Sequence, residues 1–171
     1  LFHQKFSLWL SCLAQSVIVS FTLWRTYCAL ANHGHIRFIL LCILLGGLSS
    51  IAWFSALMMP DIFAPLTVLC LYLLAFDQTL TRLNKLAIMT IGTLSIAVHL
   101  THIPIAAGCL ILISIFKFKA LRLALIPFCT ALVLLVLSNI VAFNKPSFSP
   151  FGSVFMVARL ATDGPGAKAH G

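Results

Sequence analysis

Charge is what this sequence has least of. Of its 171 residues only 8% are Asp, Glu, Lys or Arg, three of them acids, whereas 61% are apolar and the mean hydropathy is +1.11. Soluble domains carry about 25% charged and roughly 45–50% apolar residues, so the chain lacks the polar surface to coat a soluble globule of its size. Catalytic signatures are missing as well. There is no GxSxG, HExxH, Walker loop or dinucleotide fingerprint, which leaves soluble-enzyme chemistry without support. The six cysteines (Cys12, Cys28, Cys42, Cys70, Cys109, Cys129) occur singly and form no CxxC pair. That pattern points to small core- or lipid-facing residues and away from zinc or a disulfide framework. A signal peptide would end in a small-residue cleavage site, but here the apolar segments continue. Because the chain starts at Leu1 and ends in the polar run 164–171, it reads as an internal piece of a longer protein.

What is present is a series of apolar segments separated by short polar punctuation: 6–27, 36–57, 61–76, 86–99, 103–116 and 120–143. They predict an all-α, multi-pass transmembrane bundle of about six spans, with residues 1–145 as its helical core. A weakly amphipathic stretch follows at 148–160, opened by Pro146 and Pro150 and ended by the turn residues 163–166. Residues 146–171 are therefore expected to form an interfacial helix and a polar tail on the outer side. The net charge of +8 and pI of 9.6 report orientation in such a protein, and nucleic acid is not an expected partner. Seven of the eleven basic residues, Arg25, Arg37, Arg82, Lys85, Lys117, Lys119 and Arg122, lie in or beside alternate loops, against Lys5 and Lys145 on the opposite side and Arg159 and Lys168 in the tail, which makes the seven-charge side cytoplasmic. Membrane lipid is the first expected partner.

The fourth and fifth segments each have 14 residues, about 21 Å of helix against a hydrocarbon core of about 30 Å. Fusing them into one helix kinked at Pro104 would put Arg82 and Lys85 opposite Lys117, Lys119 and Arg122. A hairpin of two short helices keeps all five on one side, with a turn at 99–104 somewhat below the outer surface and shielded by protein. Small residues mark close helix approaches at Gly46, Gly47, Ser49 and Ser50, and at Gly92 and Ser95. Trp9, Trp24 and Trp53 fall near expected interfaces.

Few residues remain that could carry chemistry. Asp61 is the one acid at the outer end of a span, just after Pro60. It suits a helix start, but an ionisable residue near membrane depth also commonly lines a cavity or pathway. Asp77, in a loop with Arg82 and Lys85, is expected to be solvated. His99 and His102, three residues apart and on the same side as Asp61, form either turn residues that bond the carbonyls freed by Pro104 or, with Asp61, a divalent metal site. His33 and His35 reinforce the cytoplasmic charge.

The order of these features resembles the membrane core of the GT-C glycosyltransferase superfamily. A span ends in SIAWFSALMM, Pro60-Asp61 opens the next, a basic loop follows, and two short helices meet at AVHLTHIP. The resemblance covers residues 6–143. It implies sugar transfer from a polyprenyl-phosphate donor at the outer face, with Asp61 orienting the acceptor or holding a divalent ion. His99 and His102 would approach the donor phosphate in place of the family's usual Arg or Lys, and Arg159 would add a second phosphate contact. The family's catalytic acid in its first outer loop would lie before Leu1. The tail at 149–165 is similar to tails of bacterial inner-membrane proteins, which implies that location. A transporter or flippase component, its pathway lined by the same broken helices, remains the alternative.

Overall fold

The computed structural model describes residues 8–31, 34–51, 60–144, 146 and 157. Among them there are six α-helices and no strand: α1 (Leu8–Leu30), α2 (His35–Leu48), α3 (Phe63–Phe76), α4 (Arg82–Val98), α5 (His102–Phe116) and α6 (Phe118–Phe143). A 3-10 turn, Pro60–Ile62, leads into α3. Of the expected interfacial helix at 148–160 only Val157, helical and exposed, is described; the end of the second span and Trp53 lie outside the described residues. The all-helical reading holds. Only α6, with 26 residues, is long and apolar enough among the described helices to cross a membrane by length and composition, while α2, α5 and the stretch Pro60–Phe76 are apolar but shorter.

Two compact units follow one another, Leu1–Ala131 and Leu132–Gly171. In the first, α3 is the central element and touches α1, α4 and α5. It buries Leu66, Thr67, Cys70, Leu71, Leu73, Leu74 and Ala75. One cluster joins Leu71 and Ala75 of α3 to Ile96 of α4, Ala106, Leu110 and Ile113 of α5, and Ala124 and Ala131 of α6. Gly92 allows the closest approach. A Cβ there would stand 3.3 Å from the Cys70 Cβ and 3.5 Å from the Pro127 Cβ, so the missing side chain lets α4 seat against both α3 and α6. Thr93 and Thr130 share a 2.9 Å hydrogen bond beside this contact.

Contacts at the helix ends give the directions. The C-terminus of α1 meets that of α3 through Arg25 and Asp77, 3.2 Å apart. Phe76, at the end of α3, lies under Lys117, at the end of α5, with Nζ 5.3 Å from the ring centroid. The loop 77–81 returns the chain directly into α4. Helices α1, α3 and α5 therefore run one way, and α4 runs back the other way, packed chiefly on α3. The short fourth and fifth helices form a hairpin, as the charge pattern predicts, and are not one kinked helix. Pro104 sits in the first turn of α5, where a missing N–H costs no intrahelical bond. At the opposite end α4 starts at Arg82, four residues before hydropathy placed it, because the Thr81 side chain accepts the Asn84 N–H at 3.3 Å and caps it.

Helix α2 differs from the rest in burying no residue. Aromatic contacts hold its first turn to α1: Trp24 stacks on His35 (5.3 Å, 9°) and meets Phe38 edge-on at 4.8 Å. Gly46 and Gly47 have nothing within 4 Å of an added Cβ, so the close packing expected of them is not made among the described residues. In the second unit, the described residues are chiefly the end of α6. It closes at Asn144, whose φ of 56° and N–H bond to Ile140 O at 2.8 Å form a left-handed stop suited to Asn.

Candidate functional site

At the start of α3, Asp61 is exposed and lines an open cleft of about 360 Å³ with Ser49, Ser50, Ile51, Ile62 and Pro65. Local sequence explains its wall. The Ser49 hydroxyl turns back onto the Leu45 carbonyl at the end of α2 and accepts the Ile51 N–H at 3.4 Å, which ends the helix and presents the two serines. The cleft thus combines one carboxylate with two hydroxyl residues on an otherwise apolar rim.

The histidine turn is a separate feature. His102 is buried, 1% exposed, and its Nδ1 lies 2.6 Å from the Ser95 carbonyl. A carbonyl only accepts, so Nδ1 carries the proton and caps the last turn of α4, whose carbonyls lack helical partners. His99 is exposed, and its Nδ1 is 2.7 Å from the Thr101 hydroxyl. The two rings are 5.7 Å apart. Both histidines therefore serve the turn, the simpler of the two roles their spacing allows. Neither lines the Asp61 cleft. Among the described residues no three His, Cys, Asp or Glu side chains come together as a metal site, so the expected grouping of Asp61 with both histidines around a divalent ion is not formed. Arg159 lies outside the described residues.

The acid expected to be solvated is the buried one. The Asp77 side chain is 2% exposed, and its carboxylate accepts from Arg25 at 3.2 Å and from the Thr79 N–H and hydroxyl at 2.8 and 2.6 Å. The sequence held a signal for this: Asp followed two residues later by Thr favours such an Asx turn. Its partner was not legible, because Arg25 lies 52 residues away. The Arg25 Nε and the Ser95 hydroxyl are buried without a partner among the described residues.

The chain matches no protein-family model, no curated protein and no solved structure.

Proposed function

We propose that this chain is the helical core of a multi-pass inner-membrane protein, its basic end in the cytoplasm, which acts at the outer face on a polyprenyl-phosphate-linked sugar in the manner of GT-C glycosyltransferases. The observation that carries the membrane reading is the division of the bundle by polarity. Large apolar side chains face outward along its helices, among them Ile36, Ile43, Leu48, Ile111 and Ile115, which a soluble protein rarely tolerates in such number. The seven described cations flank one end, while Asp61 and the histidine turn stand at the other.

The enzymatic reading rests on the resemblance of the segments around Asp61 and His99 and on the cleft that Asp61 lines. There the carboxylate and Ser49 and Ser50 can hydrogen-bond the hydroxyls of an acceptor or sugar. His99 is the histidine free to approach a donor phosphate, since His102 is committed to the Ser95 carbonyl. Helix α3, with 14 residues, spans about 21 Å, so its outer end and the cleft sit below the surface of a hydrocarbon layer of about 30 Å.

Membranes containing the full protein and a labelled polyprenyl-phosphate sugar provide the test. Transfer to an acceptor that falls at least about tenfold in Asp61→Asn, about 1.4 kcal/mol of transition-state stabilisation, with membrane insertion unchanged, supports the enzyme. Movement of intact donor across the bilayer without transfer supports a flippase instead. Transfer unaffected by Asp61→Asn removes the cleft from the mechanism.

A further inference from the structure

A second concavity lies on the outward surface between α3 and α5. It is an apolar groove of about 140 Å³ walled by Val68, Tyr72 and Phe76 on one side and Cys109, Leu112 and Ile113 on the other. Tyr72 and Phe76 stack with centroids 5.2 Å apart and planes 22° apart, which holds two aromatic rings together along one wall. From Val68 to Phe76 the groove follows about 12 Å of α3, along the helix axis and hence along the direction an acyl chain takes in a bilayer.

One end of this groove is charged. Lys117 Nζ stands 5.3 Å from the Phe76 centroid, at the basic end of the bundle. The described acid at that end, Asp77, is already engaged by Arg25 and Thr79, so it does not neutralise Lys117. Arg82 and Lys85 begin α4, and Lys119 and Arg122 begin α6. Cations in the first turns of helices oppose the helix dipole, so helix stability does not explain them, whereas an anionic leaflet does.

We propose that this groove binds one anionic phospholipid of the cytoplasmic leaflet, with an acyl chain against Tyr72 and Phe76 and the headgroup phosphate on Lys117. The charge complementarity selects the occupant: a neutral apolar chain would fill the groove equally well but would leave Lys117 without a counter-ion. The inference rests on the membrane reading above.

The test reconstitutes the full protein in vesicles of phosphatidylcholine containing a minor fraction of either phosphatidylglycerol or phosphatidylcholine with a photoreactive acyl chain, and maps the adducts by mass spectrometry. Expected are adducts on the α3 and α5 residues of the groove, enriched about fivefold for phosphatidylglycerol. Lys117→Gln should lower the enrichment to the phosphatidylcholine level, and Lys117→Arg should retain it. Equal labelling by the two lipids, or enrichment unchanged in Lys117→Gln, overturns the site. A protein that alkaline extraction strips from the vesicles overturns the membrane reading itself, whereas an integrated protein without lipid preference overturns only the groove.

Discussion

At the scale of single residues, the ionisable groups divide into those that hold the fold and those that stay open. Asp77 and Arg25 belong to the first kind, with side chains 2% and 14% exposed. Removing one partner of a buried pair leaves the other charge uncompensated, at a cost of about 3–5 kcal/mol, while replacing both with apolar residues of similar size is close to neutral. Asp77→Asn should therefore markedly destabilise the protein in detergent-solubilised unfolding, and Arg25→Met combined with Asp77→Leu should recover most of the loss. Full stability of Asp77→Asn would mean that the pair is not formed. The histidines separate in the same way. His102→Leu strands the buried Ser95 carbonyl and should cost about 1–3 kcal/mol, whereas His99→Gln, at an exposed position, should change stability by under about 0.5 kcal/mol. A catalytic role for both would predict the opposite pattern, intact stability with lost activity in each. Residue type and spacing made the histidine pair visible in the sequence. They did not reveal that one ring is buried, because burial depends on how α4 and α5 close on each other.

At the scale of elements, hydropathy located the helices well where their ends are apolar and poorly where polar residues continue them. The fifth span, read as 103–116, is a helix at His102–Phe116. The fourth, read as 86–99, extends back to Arg82, since Thr81 caps a turn that contains Arg82, Asn84 and Lys85. Small residues were an uneven guide. Gly92 does mark a close approach, but Gly46 and Gly47, like Gly108, of which no packing was expected, meet no described atom within 4 Å of an added Cβ. Sequence shows which positions permit contact and not which helix arrives there. The difference is measurable: Gly92→Leu would drive side-chain atoms into Cys70 and Pro127 and should cost about 1–3 kcal/mol, while Gly46→Leu and Gly108→Leu should unfold with the wild type in detergent. Equal losses at all three positions would show that helix propensity, not packing, decides.

At the scale of the whole molecule, the alternation of helix directions and the placement of charge are two independent lines that agree. The directions follow from Asp77 on Arg25 and from Lys117 over Phe76. The charge pattern follows from seven cations flanking alternate loops, a side that the positive-inside rule would assign to the cytoplasm on the proposed membrane reading. Either line alone leaves an ambiguity: geometry gives antiparallel helices without saying which end faces inward, and charge gives a side without excluding a chain that only lies on the surface. On the membrane reading proposed above, they predict together that the loop before α4 and the junction of α5 with α6 share one compartment and that the turn at 99–101 faces the other. With the six native cysteines replaced, single cysteines at Asn84 and Lys119 should both resist a membrane-impermeant maleimide added from outside and react once the membrane is opened. A cysteine at Leu100, exposed in the turn, should react in intact cells. Labelling at Lys119 from outside with Asn84 protected would require α4 and α5 to cross the membrane as one continuous helix. It would contradict the hairpin and part Lys117 from Phe76, so the cationic groove would not form, while Asp61, separated from Asn84 by α3 alone, would keep the side assigned above.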